Sequence, residues 1–415
     1  MMRQNAVIGQ SGGPTAAINA SLAGVYRAAK AGGAAHVYGM RYGLEGLLQD
    51  QLVDLDACFA QPDALELLRR TPASFLGSCR YKLPNLVQAR EAYVSLFDTL
   101  DRHDIGALYY IGGNDSMDSV AKLSLYGAQT GSPVRIVGVP KTIDNDLCRT
   151  DHTPGYGSAA KYIACSMSEI LCDAGVYNLP SVTIVEIMGR NAGWLAGAAC
   201  LARTEGCPGP DLILLPEVPF DEDAFVARVR RLLSEKLSVV VAVSEGIRDL
   251  GGRLVCEHSA IGGGQRDAFG HRAFLSGTGW YLSALLNGRI GCKTRAVELS
   301  TLQRCASHIA SLTDINEAEA AGAVAVKAAA KGLSGVMTAF LRSDSPLRPD
   351  IPYHCDIVTV PVDEVADLEK KVPREWIAAD GMQVTDSFAR YARPLIQGEL
   401  PVLYAGGVPR HLCLA

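Results

Sequence analysis

The chain has 415 residues, 48% of them hydrophobic and 20% charged, enough for two domains with large cores. Its net charge of −5 leaves no basic footprint for nucleic acid, so an anionic ligand must be met by locally gathered arginines and lysines. The 12 cysteines form no Cys-x-x-Cys pair and the 8 histidines show no metal-ligand spacing, which predicts reduced thiols in a cytoplasmic protein.

No targeting peptide is expected, since the first residues run straight into an apolar stretch. No apolar run reaches the roughly 18 residues that a membrane span needs. From residue 6 to about 245, strand-length apolar runs (6–8, 107–111, 134–139, 182–187, 212–215, 239–243) alternate with helix-length segments. Helical spacing marks 65–70, 86–100, 224–233 and 317–330. This alternation predicts an α/β chain with mostly parallel sheets covered by helices on both faces.

Three of the predicted strands run into loops of one kind. The first is Gly9-Gln10-Ser11-Gly12-Gly13-Pro14. The second is Gly112-Gly113-Asn114-Asp115-Ser116, in which two glycines let a phosphate approach the backbone and Ser116 is expected to cap the following helix. The third is Val139-Pro140-Lys141-Thr142-Ile143-Asp144-Asn145-Asp146, which pairs a lysine with two carboxylates. Lys141 is expected to lower the Asp144 pKa and to offer positive charge to a phosphate. Alone, each reads as a turn or a surface ion pair. Three in one 150-residue stretch, all at strand carboxyl ends, point to a polyphosphate site.

Taken together, these loops resemble those of the phosphofructokinase family. Residues 139–146 look like its catalytic loop and Gly77-Ser78-Cys79-Arg80 like the loop whose arginine meets the transferring phosphate. Glu186-Ile187-Met188-Gly189-Arg190 looks like its sugar-binding segment, and Ser244-Glu245-Gly246 and Arg295 through Gln303-Arg304 follow in the family's order. The resemblance covers residues 5 to about 340. It implies two similar three-layer α/β/α domains, at 1–155 with 304–353 and at 156–303 with 354–415, and a cleft between them.

The resemblance also implies a reaction: Mg2+-dependent phosphoryl transfer to the 1-hydroxyl of fructose 6-phosphate. Asp144 matches the base, with Asp146 assisting it or orienting the sugar, and Lys141, Thr142 and Arg190 complete the catalytic group. Gly12, Gly13, Arg80, Gly113, Asp115, Ser116 and Lys141 match the phosphoryl-donor site. Thr142, Asp144, Met188, Gly189, Arg190, Glu245, Arg295, Thr301 and Arg304 match the sugar-phosphate site, with Arg295 and Arg304 clamping the 6-phosphate. Thr301 stands where the family has a histidine, and Ser181 near where ATP users supply an arginine to the neighbouring subunit. Asp115 and Asn114 match the metal site, with asparagine in place of the usual aspartate.

Two positions point to the donor. ATP-using members carry glycine where this chain has Asp115 and Lys141, whereas pyrophosphate users carry aspartate and lysine. Leu44 falls near the family's adenine-holding aromatic, and Ala23 and Asp173 fall at effector-binding arginines. Pyrophosphate is the expected donor and a homodimer or homotetramer the expected assembly. The alternatives are an ATP-dependent 6-phosphofructokinase, a kinase of sedoheptulose 7-phosphate and a nucleotide-binding dehydrogenase. The last lacks a Gly-x-Gly-x-x-Gly after the first strand.

Overall fold

A computed structural model describes residues 4–258, 275–344, 351–366 and 368–414. Two sheets organise them. The larger contains β1 (Asn5–Gln10), β2 (Val37–Met40), β3 (Leu52–Asp54), β4 (Ile105–Gly112) and β5 (Arg135–Pro140). The smaller is built from β6 (Ser181–Ile187), β7 (Leu212–Leu214), β8 (Ser238–Ser244) and β9 (Lys293–Glu298). Late in the chain, β10 (Val336–Arg342) and β11 (Cys355–Pro361) return to the larger sheet.

The order in the large sheet is β11-β10-β5-β4-β1-β2-β3, and only the β10–β11 and β2–β3 edge pairs are antiparallel. The small sheet, β7-β8-β6-β9, is wholly parallel. Strand alternation sorts the side chains. On β4, Leu108 and Tyr110 enter one core with Val7, Ile136 and Met337, while Tyr109 and Ile111 enter another with Ile8, Val139 and Phe340. Both faces are apolar, which is why the runs read as continuous rather than alternating.

The six expected strands all form. The helix expected at 86–100 begins only at Arg90, and that at 317–330 begins at Leu312. The tail 354–415, expected to pack on the second half, starts as β11 in the large sheet, because β10 needs an edge partner for its backbone groups. Farther on, Val372, Ile377, Phe388 and Tyr391 do pack with Trp194 and Ile187 of the second half.

The halves are tied at helix ends. Both Asp314 oxygens accept backbone N–H groups at the start of the helix Tyr156–Ala174, from Gly155 at 2.8 Å and Ser158 at 2.9 Å. The helix Leu312–Ala330 lies against Ile18–Ala31 so closely that a Cβ at Gly24 would sit 1.9 Å from the Glu319 carbonyl oxygen. Loops at strand carboxyl ends of both sheets come near one another, since Arg190 after β6 and Glu245 after β8 share their electrostatic environment with Asp144 after β5.

Candidate active site

The loop after β1 turns at Gly12, whose φ of +77° lies in the region that favours glycine. Ser78 Oγ donates to the Gly12 carbonyl at 2.7 Å, and the Gly12 N–H donates to the Cys79 carbonyl at 3.3 Å, which seats loop 77–80 beside it. Lys141, only 2% exposed, donates from Nζ to the Gly13 carbonyl at 2.5 Å. A Cβ at Gly13 would lie 3.7 Å from the Arg304 guanidinium. Arg80 and Arg304 both add positive charge at Lys141. Burial, opposed by Asp144 and Asp146, brings the Lys141 ammonium down to about 8, so it remains mainly charged at neutral pH.

The Lys141 N–H donates to the Gly112 carbonyl at 2.9 Å, joining the second and third loops. Gly113, not Ser116, is the cap of the helix Asn114–Thr130. Ser116 lies inside the first turn, three residues past the cap position, and is buried against Gly112. Asp115 is exposed at the mouth of this turn. Asn114 Nδ2 donates to the Leu368 carbonyl at 2.7 Å, so its amide braces the tail.

Thr142 shapes the turn that presents Asp144. Its Oγ1 accepts the Asp144 N–H at 3.1 Å and donates to Asp144 Oδ2 at 3.4 Å. Asn145 follows with φ of +56° and is held by Tyr391, to whose hydroxyl its Nδ2 donates at 2.8 Å. Lys141 lowers the Asp144 pKa as expected, but it does not set the net shift. Burial pushes the Asp144 carboxyl up, and Lys141, Thr142 and Arg190 only partly offset it. Asp146 is pushed up to about 7, by burial first and by Asp144 next.

The Asp146 shift has a stability consequence. Its folded-state pKa is raised from 3.8, so its contribution to stability is full below that value and is lost as pH rises through about 7. Asp146→Asn removes the loss. One pKa unit is about 1.4 kcal/mol, so a fraction of the shift is worth roughly 2–4 °C in Tm. Asp146→Asn is expected to melt higher than wild type at pH 8, with the gain vanishing near pH 4. A gain independent of pH would contradict this.

The sugar-side residues follow β6. The Met188 N–H donates to Gln303 Oε1 at 3.3 Å, and the Gly189 N–H donates to Glu245 Oε1 at 3.4 Å. Gly246 permits the packing of this loop, since a Cβ there would sit 2.0 Å from the Arg190 carbonyl oxygen. Burial, with Asp144 and Glu186 adding, pushes Glu245 up to about 8, while Arg190 pulls both Glu245 and Asp144 downward. Acids from the two sheets thus share one electrostatic environment.

Three residues matched to the 6-phosphate are not brought together. Arg295, opposite Thr183 in the middle of β9's pairing with β6, bonds Asp173 at 2.7 Å on an exposed surface. Thr301 is exposed ahead of the short turn Leu302–Cys305, and Arg304, in that turn, lies against the Gly13 loop. A register position three residues before the strand's end keeps Arg295 out of this chain's cleft. Leu44 is fully buried in the core, and the exposed ring nearby is Tyr42, against Gly77. Ala23 is buried, and Asp173 is the Arg295 partner.

Sequence reasoning missed the segment 368–372, which borders the catalytic loop. The Lys370 N–H donates to the Asp146 carbonyl at 2.7 Å, and Glu369 raises the pKa of both Asp144 and Asp146. Nothing in Leu368-Glu369-Lys370 signals this, because the contacts are mainly to backbone.

The phosphofructokinase family model matches residues 5–329. The chain belongs to the phosphofructokinase family. It is 42% identical to the pyrophosphate–fructose 6-phosphate 1-phosphotransferase of Methylococcus capsulatus, over all of this chain and 96% of that protein. The enzyme of the same name from Xanthomonas campestris pv. campestris is also 42% identical, over all of this chain and 97% of that one. Among solved structures, the pyrophosphate-dependent phosphofructokinase of Nitrosospira multiformis superimposes with a TM-score of 0.87 at 36% identity, covering 98% of this chain and 95% of that one. Family membership and this structural likeness bear out the expected α/β fold. Among the described residues, no helix is long and apolar enough to cross a membrane.

Proposed function

We propose that this chain transfers a phosphoryl group from pyrophosphate to the 1-hydroxyl of fructose 6-phosphate, reversibly, giving fructose 1,6-bisphosphate and phosphate. The observation that carries the reading is Lys141, buried on the Gly13 carbonyl with Arg80 and Arg304 adding charge, one turn from Asp144. Full-length similarity to relatives bearing that activity's name supports it.

In this reading the seven-stranded half holds pyrophosphate and the four-stranded half holds the sugar phosphate. The 1-hydroxyl oxygen forms a bond to the transferring phosphorus as the bridging P–O bond breaks. The hydroxyl proton passes to Asp144, and orthophosphate leaves. Burial keeps Asp144 basic enough to accept that proton. Lys141, Thr142, Arg80 and Arg190 align and neutralise the phosphoryl oxygens, and such alignment and charge supply most of the catalysis in phosphoryl transfer. Met188, Gly189 and Glu245 form the fructose wall, and Arg304 reaches the phosphate side.

The donors at the cleft fit Mg2+. Asp115 brings an exposed carboxylate and Asn114 an amide oxygen, its nitrogen being bonded to Leu368. Mg2+ takes hard oxygen ligands and characteristically shares them with substrate phosphates. Bound there, the ion neutralises charge on pyrophosphate. Release of orthophosphate from pyrophosphate should therefore require both fructose 6-phosphate and Mg2+. Release independent of the sugar phosphate would contradict the proposal.

The position of Arg295 supports a homodimer or homotetramer in which it serves the partner's sugar-phosphate site. Arg295→Ala and Asp144→Asn chains, each weakly active, are expected to regain up to about a quarter of wild-type activity when refolded together, since one kind of hybrid site carries neither change. No recovery in mixtures shown to contain hybrids would contradict this. Soluble anionic substrates are consistent with a cytoplasmic enzyme that binds neither membrane nor nucleic acid.

A further inference from the structure

The strap 368–372 lies beyond the residues matched by the family model, yet it touches three parts of the site. At its start the Leu368 carbonyl receives Asn114 Nδ2 from the donor side. At its end the Val372 N–H donates to Glu217 Oε1 at 3.0 Å, the same oxygen that takes the Gly193 N–H at 2.9 Å on the sugar side. Between them Lys370 grips the catalytic loop. Its N–H holds the Asp146 carbonyl, and its Nζ donates to the Thr150 carbonyl at 3.2 Å and the Asp151 carbonyl at 2.5 Å. Trp194 fixes Lys370 in turn: Nε1 donates to its carbonyl at 2.9 Å, and the ammonium stands 5.2 Å from the ring centroid.

We propose that Lys370 is a positioning residue for phosphoryl transfer, clamping loop 141–151 so that Asp144 and Asp146 meet the sugar hydroxyl in register. The inference rests on the function proposed above. Drawing even a half-buried ammonium out of water is costly, and its use on two backbone carbonyls of one loop is a reason to look for a role beyond stability. The charged and titratable groups facing it are Asp151, Asp146, Cys148 and Arg342. Asp146 also faces Asp144 and Glu369, so Lys370 and Glu369 act on it with opposite sign.

The test compares wild type, Lys370→Met and Glu369→Gln in fructose 1,6-bisphosphate formation from pyrophosphate, with folding checked by circular dichroism. For Lys370→Met, kcat is expected to fall roughly 10–100-fold, the scale of about 1 Å of misplacement. KM for fructose 6-phosphate should stay within about threefold, and the acid limb of the kcat profile should move up by roughly half a unit or more. For Glu369→Gln, an exposed change that leaves the fold intact, the limb should move down. An inactive wild type defeats the proposed function itself. An active wild type with unchanged kcat and limb in Lys370→Met overturns this inference alone. If Lys370→Met does not fold, an unmoved limb in Glu369→Gln overturns it.

Discussion

Asp144→Asn is expected to lower kcat by about 10²–10⁴, the usual share of general acid–base catalysis. Asparagine keeps the shape and the Thr142 contacts but cannot take the proton from the 1-hydroxyl. Burial already holds the Asp144 carboxyl above its ordinary range, so the wild-type group pays little to accept that proton. The lost interaction belongs to the transition state, so KM for fructose 6-phosphate should change far less than kcat. Asparagine also removes a negative charge facing Glu245 and Lys141, and sugar-phosphate affinity could rise modestly for that reason. Steady-state kinetics at saturating substrates measures both quantities. Near-normal kcat in a folded Asp144→Asn protein would remove Asp144 from the role of base.

Donor choice should invert more readily at two positions together than at either alone. Asp115 sits exposed in the first turn of the helix Asn114–Thr130; in the proposed reading a nucleotide's α-phosphate would meet a like charge there. Two such charges about 4 Å apart cost on the order of 1–4 kcal/mol, roughly a factor of five to several hundred in rate. Asp115→Gly should therefore raise kcat/KM for ATP and lower it for pyrophosphate. Lys141→Gly removes the ammonium held on Gly13, so pyrophosphate use should fall sharply while ATP use stays low, because Asp115 still repels. The double variant should favour ATP most. An Asp115→Gly protein with an unchanged ATP-to-pyrophosphate ratio would place donor choice elsewhere.

The cleft was legible where chemistry follows strand ends. The runs 107–111 and 134–139 are apolar on both faces, and each stops at a glycine or proline, so loops 112–116 and 140–146 could be placed before any contact was known. Gly12, Gly13, Lys141 and Asp144 lie near one another in the fold. Signs of competing effects were not legible. Lys141 beside Asp144 suggests a depressed carboxyl, but the depth of the cleft decides the outcome, and burial wins on both partners. Ser116 has the side chain of a cap but sits three residues past the cap position, inside the helix. Arg295 and Arg304 are nine residues apart in sequence and share a motif, yet strand register and a short turn carry them to different surfaces. Lys370 was invisible because it binds backbone carbonyls, which leave no mark on the residue types they contact.

The central claim is that pyrophosphate is the phosphoryl donor. Its most direct test is kcat/KM of the wild-type protein for pyrophosphate and for ATP, at saturating fructose 6-phosphate and Mg2+ and with fructose 1,6-bisphosphate as the product measured. Pyrophosphate is predicted to exceed ATP by at least about tenfold, as one repulsive contact of about 1.4 kcal/mol requires. Faster turnover with ATP than with pyrophosphate would contradict the account.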